Sequence, residues 1–431
     1  MSIALSVMLF LFGLLAILGV PLSFATGISA LSYFLIGGQS LRTVIHQFFT
    51  SIDSFVLLAV PLFIMAGHVM SECKITHGII NLSNLLVGRF RGGLAQVNIL
   101  ASMLFGGCSG SALADVTGLG SVLIPAMKDN GYSEEFSTAV TVASSVQGPI
   151  IPPSIPMVIF ASVAQVSTGA LLIGGAVPGI MLGAVQMIVV YLISRRRDYR
   201  ASNLVIKRSE LPGILKESIP AALMPVILMG GILSGMFTPT EAAAVAVAYA
   251  LLFGFVLFRN LTFASLMRIG ARVARDSATI FFLIGTAGIF GWILAVAHLP
   301  QIAADFIKET TANPYLVLFA INILLLIWGM LMDAAPAILI LGPLLTPIAT
   351  AVGIHPIHFG VVMVFNLMIG LMTPPYGLCL FAGVAITNCT IGKISREIAP
   401  FIVISIGLLF LISYFPDLVL FLPRLTGLTT D

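Results

Sequence analysis

The sequence predicts an all-α polytopic membrane protein built as two inverted repeats, each carrying a re-entrant helical hairpin and a broken helix. Three observations predict this. Of the 431 residues 59% are hydrophobic and 9% charged, where an ordinary soluble domain carries about 25% charged residues. The apolar residues arrive in runs of about 20, the length that spans a hydrocarbon core roughly 30 Å thick. The series of runs in the first half then returns in the second.

The first element is the N-terminal stretch MSIALSVMLFLFGLLAILGVPLSFATGISALSYFLIGG. It has no Lys or Arg ahead of its apolar run and no small-residue cleavage site, so retained spans are expected rather than a removed signal peptide. The first repeat is assigned to 1–194: scaffold helices within 1–71 (near 2–20, 22–38 and 54–71), a polar arm at 72–92, a hairpin at 94–127, a helix at 136–167 broken by GPIIPPS, and a closing helix at 170–194. A cytoplasmic basic linker, 195–217, holds Arg195, Arg196, Arg197, Arg200, Lys207, Arg208 and Lys216 against Asp198, Glu210 and Glu217. Such a cation-rich loop stays on the cytoplasmic side. The second repeat, 218–431, has scaffold helices within 218–298 (near 218–237, 240–258 and 277–298), an arm at 300–312, a hairpin at 314–346, a helix at 358–388 broken by TPPYG, and a closing helix at 398–417.

A gapless shift of 222 positions superposes Gly107 on Gly329, Gly120 on Gly342, Pro125 on Pro347, Gly131 on Gly353, Gly148 on Gly370, Pro152-Pro153 on Pro374-Pro375, and Pro178 on Pro400. Over 107–178 it gives 14 identities in 72 positions. Scattered Leu and Val matches are expected by chance, but coincident Gly and Pro are not, so an internal repeat is inferred. If each hairpin enters and leaves on one side, a repeat has an odd number of crossings and the second is inverted. Arg89, Arg91, Lys128, Arg259, Arg268, Arg272, Arg275, Lys393 and Arg396 then fall on the cytoplasmic side, and both termini on the periplasmic side, in keeping with the positive-inside rule.

Charged groups in a spanning segment cost about 2.5–3.5 kcal/mol on insertion scales, so Asp115 and Asp333 need a reason to be there. Either each lies near a hairpin turn with backbone or water partners, or it serves a mobile cation or polar solute. Asp333, in GMLMDAAPA with no Lys or Arg nearby, is the stronger functional candidate. In the first hairpin GGCSGSALAD lets the backbone leave helical geometry, and SSVQGPIIPPS is its partner. In the second half GMLMDAAP faces NLMIGLMTPPYG. Proline frees the carbonyl four residues back, and free carbonyls at membrane depth are tolerated only where they line protein or water. Broken helices at matching places in two halves mark a transporter site, with helix N-termini toward an anion and unwound carbonyls toward a coupling ion. Carbonyl, hydroxyl and carboxylate oxygens suit a hard cation such as sodium. One sodium site is expected at Gly107, Ser109, Ser111, Gly148 and Ile151, and a second at Gly329, Asp333, Gly370 and Thr373. The solute is expected between them against Ser154, Asn366 and Tyr376, with Pro152, Pro153, Pro374 and Pro375 as the helix breaks. No cofactor is expected beyond sodium as coupling ion.

The four cysteines, Cys73, Cys108, Cys379 and Cys389, lack CxxC spacing and read as small buried side chains. His46, His68, His77, His298, His355 and His358 are scattered through loops and helix ends. No P-loop, nucleophile elbow or HExxH motif occurs, so neither ATP-driven transport nor hydrolysis is indicated. No basic patch interleaved with aromatics points to nucleic acid. The arms, ECKITHGIINLSNLLVGRFRGG and LPQIAADFIKETTANP, are amphipathic and could lie along the interface.

Several strings together resemble one family: FVLLAVPLFIMAGHVM, NILASMLFGGCSGSALADVTGLGSVLIPAMKDNGYS, GPIIPPSIPMVIF, GMFTPTEAAAVAVAYAL and GLMTPPYGLCLF. They are similar to the large (DctM-like) permease subunit of tripartite ATP-independent periplasmic (TRAP) transporters, over nearly the whole chain. Cys108 stands where a small or branched apolar residue is expected. The resemblance implies an elevator-type architecture of the ion-transporter superfamily in the bacterial inner membrane. It also implies sodium-coupled import of a carboxylate-bearing solute (a C4-dicarboxylate, a sialic or other sugar acid, or a keto acid), a small four-helix membrane subunit, and a periplasmic substrate-binding protein. The alternatives are a self-sufficient sodium/dicarboxylate symporter and, in other classes, a channel, a structural scaffold or a membrane enzyme.

Overall fold

The computed structural model describes residues 3–73, 75–199, 211–257, 259–310, 313–387 and 389–429; of the linker cations, Arg200, Lys207 and Arg208 lie outside them. All the regular elements among the described residues are helices, without strands. Eight of their helices are long and apolar enough to cross a membrane.

In the first half the helices are α1 (Ile3–Ile17), α2 (Leu22–Gly37), α3 (Leu41–Ile52), a 3-10 turn (Phe55–Leu58) running into α4 (Ala59–Glu72), α5 (Ile75–Val87), α6 (Gly93–Ser109), α7 (Ala112–Asp129), α8 (Glu134–Ser145), α9 (Ile155–Ala164) and α10 (Thr168–Arg197). In the second they are α11 (Leu211–Leu233), α12 (Pro239–Leu252) with a π turn to Leu257, α13 (Phe263–Val296), α14 (Leu299–Thr310), α15 (Pro314–Leu331), α16 (Ala334–Ala351), α17 (Pro356–Met372), α18 (Leu378–Ile386), α19 (Ile391–Tyr414) and α20 (Asp417–Leu425). The shift of 222 residues carries α7 onto α16 end for end, the start of α8 onto that of α17, and the end of α9 onto that of α18.

Three elements differ from the expectation. Residues 41–52, left between spans, form α3, capped at its start by the Ser40 hydroxyl accepting from the Arg42 N–H. The span expected at 277–298 begins at Phe263, making α13 about 51 Å long at 1.5 Å per residue. Its start is fixed by a capping box in which Thr262 and Ser265 exchange hydrogen bonds, satisfying two N-terminal donors. Its cations Arg268, Arg272 and Arg275 hid it from a hydropathy reading. Finally, the chain does not end at the closing helix: α20 follows.

Two groups of helices result. In one, α2, α3 and α4 pack along α13, α1 against α2, and α4 against α12. This contact joins the halves: the Thr26 hydroxyl meets that of Thr286 at 3.0 Å, and Glu72 pairs with Arg268 at 2.8 Å. The other group holds the hairpins α6–α7 and α15–α16 with the broken helices α8–α9 and α17–α18. The incoming arm of each hairpin packs on the first half of its own repeat's broken helix, α6 on α8 and α15 on α17. The outgoing arms also meet the opposite repeat, α16 against α9 and α7 against α18. The exchange brings the two breaks together. The arms bridge the groups, α5 between α11 and α6, and α14 between α13 and α16.

Candidate functional site

The first hairpin turns at Gly110, in the left-handed region (φ 59°), whose N–H donates to the Gly106 carbonyl at 2.9 Å. Ser111 then caps α7, its hydroxyl accepting from the Ala114 N–H at 3.4 Å. The tip is wedged tightly. A Cβ added at Gly107 would lie 2.9 Å from Cγ of Pro225 on α11 and 3.5 Å from the Pro152 carbonyl oxygen, and one at Gly110 would lie 2.9 Å from the Pro153 carbonyl oxygen. Carbonyls of the double-proline segment therefore face the tip where it carries Ser109 and Ser111. The arrangement is an oxygen-rich junction of the kind a hard cation uses.

Below the tip the hairpin and the break touch backbone to backbone: a Cβ at Gly106 would come within 2.2 Å of the Gly148 Cα. The first break, 146–154, is almost wholly buried and braced by side chains. Gln147 donates to the Gln186 side-chain oxygen, and Gln186 donates to the Ala143 carbonyl at 2.8 Å, fastening the break to α10. Ser154 donates to the Pro149 carbonyl and accepts from the Met157 N–H at 3.2 Å as cap of α9. The Pro152-Pro153 and Pro374-Pro375 bonds are both cis.

The second hairpin repeats the plan with different chemistry. Asp333 caps α16, its carboxylate accepting from the Ala334 N–H at 2.7 Å. A Cβ at Gly370 would lie 2.4 Å from the Gly329 carbonyl carbon, so again two glycines let hairpin and break meet. The second break is shorter, 373–377, with the Thr373 hydroxyl donating to the Ile369 carbonyl at 2.6 Å. Tyr376 is 62% exposed.

The 222-residue shift aligns Ser111 with Asp333 and Asp115 with Ala337, so the two aspartates are not counterparts. Asp333 sits at a tip, exposed. Asp115 lies one turn inside α7, 1% exposed; the Ser102 hydroxyl is its polar neighbour, yet neither carboxylate oxygen has a hydrogen-bond partner of good geometry among the described residues. Ser102 instead shares a 2.8 Å hydrogen bond with Ser144, within a buried network in which Asn98 donates to Thr141 at 2.7 Å. The second half has its own network: Asn366 donates to the Asn322 side-chain oxygen at 3.0 Å, and Asn322 to Ser413 at 2.9 Å.

The structure gathers Gly107, Ser109, Ser111 and Gly148 at the first junction, but the glycine in direct contact with Gly148 is Gly106. The Ile151 side chain turns toward α10, where a Cβ at Gly179 would lie 2.5 Å from its Cγ1, leaving only its backbone for a ligand. At the second junction Gly329 and Gly370 meet backbone to backbone, and Thr373 follows as the C-cap of α17. Of the expected solute residues, Ser154 and Asn366 are fully buried and hydrogen-bonded within the protein, whereas Tyr376 is exposed. Sequence reasoning missed Gln147, Gln186, Asn98 and Asn322. Their signal was present, since amide side chains in apolar helices are costly and need partners.

A sequence model of one family matches residues 7–418: "Tripartite ATP-independent periplasmic transporter, DctM component". The chain belongs to this family. Among its relatives is the sialic acid TRAP transporter large permease protein SiaM of Vibrio cholerae, 40% identical over 418 residues, covering 96% of this chain and 98% of the relative. The C4-dicarboxylate TRAP transporter large permease protein DctM of Pseudomonas aeruginosa is 37% identical over 400 residues, 93% of each chain. The YdaH transporter of Alcanivorax borkumensis, described as having an unusual topology, shares the fold with a TM-score of 0.60 at 16% identity, covering 90% of this chain and 88% of its own. This DctM-family chain is accordingly a multi-pass inner-membrane transport protein.

Proposed function

We propose that this permease imports a carboxylate-bearing organic solute by sodium symport, with a small membrane subunit and a periplasmic binding protein as partners, through an elevator-type motion. The observation that carries the reading is the pair of hairpin-to-break junctions, each a close backbone contact ringed by oxygens, held side by side by the exchange of α9 and α18. Sodium at the first would use the Ser109 and Ser111 hydroxyls with break carbonyls. Sodium at the second would use the Asp333 carboxylate, the Thr373 hydroxyl and carbonyls near Gly329 and Gly370. Two such cations and the freed ends of α9 and α18 would favour an anion between them, because helix N-termini carry partial positive charge. The buried networks of Asn98 and Asn322 tie each hairpin to its broken helix, so the unit would move as one body while α4, α11 and α13 stay fixed. The named solutes of the relatives, sialic acid and a C4-dicarboxylate, support the acidic class.

The test is uptake of radiolabelled sialic acid and succinate into proteoliposomes holding this chain and its small membrane subunit, with and without an inward sodium gradient and the periplasmic protein. Accumulation only when gradient and binding protein are both present is the expected result. Accumulation without the binding protein would replace the tripartite reading by a self-sufficient symporter, and accumulation indifferent to sodium would remove the coupling.

A further inference from the structure

We propose that Arg197 is a positioning residue for transport: held between Glu397 and Phe136, it locks the entry of the first broken helix to the exit of the second, so that the two junctions shift together. The transport consequence rests on the elevator reading given under the proposed function. The contacts cross the repeats. Arg197 is the last residue of α10, and Glu397 lies near the start of α19. Their planar groups meet fork to fork, Nη1 to Oε2 and Nη2 to Oε1, both at 2.9 Å. Two parallel hydrogen bonds between ionised groups fix orientation as well as distance, and the Glu397 side chain is sheltered, 22% exposed. The guanidinium also lies 5.4 Å from the centre of the Phe136 ring, within cation–π reach. Phe136, in the first turn of α8, is fully buried among the rings of Tyr132, Tyr199 and Phe401, so the surface that Arg197 stacks on is itself fixed.

One side chain therefore touches α8, where the first broken helix begins, and α19, which follows directly on α18, the end of the second. The helices themselves are in contact there, α19 against both α8 and α10, but apolar packing resists sliding less than a directional bond does. The other end of the repeat shows the difference. The 222-residue shift carries Arg197 onto Val419 and Gly175 onto Glu397. There a Cβ at Gly174 would lie 3.4 Å from the buried Val419, an apolar contact held by a non-directional attraction. The repeat thus supplies a helix-to-helix contact at both ends, and only the end at Arg197 carries the fork. A second pair across the same helices, Lys393 with Glu135, is looser at 3.5 Å, with the lysine 68% exposed, and exposed pairs of that kind contribute little.

The experiment compares Arg197→Lys, Glu397→Gln, the reversed pair Arg197→Glu/Glu397→Arg, and Lys393→Gln with the parent. Each full chain is reconstituted with its small membrane subunit and the periplasmic protein, and uptake of the radiolabelled acid that the parent accumulates is measured per amount of inserted protein, alongside melting. Lysine keeps the charge but neither the fork nor the flat stack, so Arg197→Lys should lower the maximal rate about fivefold and leave the KM for the solute within about twofold. Glu397→Gln should do the same, and the reversed pair should recover most of the loss. Lys393→Gln, which removes a cation from the same surface, should match the parent. A parent-like rate in Arg197→Lys would overturn the proposal, as would a reversed pair no faster than the single variants. Lower melting with an unchanged rate would overturn it as well, by making Arg197 a brace of the fold alone. Every variant is compared with the parent under one gradient, so a parent indifferent to sodium, which would sink the symport reading, is read separately from a loss of rate in the variants.

Discussion

The two breaks are built from one template and differ in what surrounds them. The first, 146–154, is nine residues long, buried and fastened to α10 through Gln147 and Gln186. The second, 373–377, is five residues long and carries the exposed Tyr376. The hairpin tips differ the same way: a neutral Ser111 caps α7, whereas the Asp333 carboxylate caps α16. The two junctions thus share one backbone geometry, the first braced and neutral at its tip, the second with a carboxylate at its tip and open at its break.

The largest effect should come from the tip charge. Asn caps a helix about as well as Asp, so Asp333→Asn should leave membrane insertion and thermal stability unchanged while reducing sodium-driven uptake to background. Normal uptake in that variant would make Asp333 a cap and nothing more. At the first hairpin, Asp115→Asn is no counterpart of that change: it removes a buried carboxylate without hydrogen-bond partners among the described residues. It should not lower stability, and a gain on the order of 1 kcal/mol is expected, read from the melting of purified protein in detergent.

Next come the glycine contacts. Gly370→Ala drives a methyl into the Gly329 backbone, and Gly106→Ala drives one into Gly148, where neither neighbour is a flexible side chain. Overpacking of this kind costs about 1–3 kcal/mol, and both variants should lose uptake. Gly329→Ala meets its nearest atoms at 3.3 Å and should keep measurable transport. A reversal of that order, measured on equal amounts of inserted protein, would mean that hairpin and break do not touch as described.

The brace of the first break should be worth less. Gln147→Leu and Gln186→Leu should each cost about 1 kcal/mol, the net worth of a hydrogen bond. The double variant should cost less than the sum, because both lose the same bond. Full additivity in melting experiments would show that the two amides act separately. The smallest effect on stability is expected at the open end of the second break. Tyr376→Ala should stay within about 0.5 kcal/mol of the parent while raising the KM for uptake, and an unchanged KM would remove Tyr376 from the solute path.

Much of this was legible in the residues. Apolar runs give a membrane protein, because transfer free energy depends on composition alone. Coincident Gly and Pro pairs locate both breaks and both tips, because those residues constrain the backbone wherever they stand. The boundaries of α13 were hidden by its arginines, and α3 by a length too short to span. Contact across the repeats is another matter. That α9 lies on α16 and α18 on α7, that Gly106 rather than Gly107 meets Gly148, and that Asp115 is sealed in while Asp333 stays open all depend on pairings far apart in the chain. Such pairings are selected by how well side chains fill shared space, a property of two surfaces together, so only the tertiary structure could decide them.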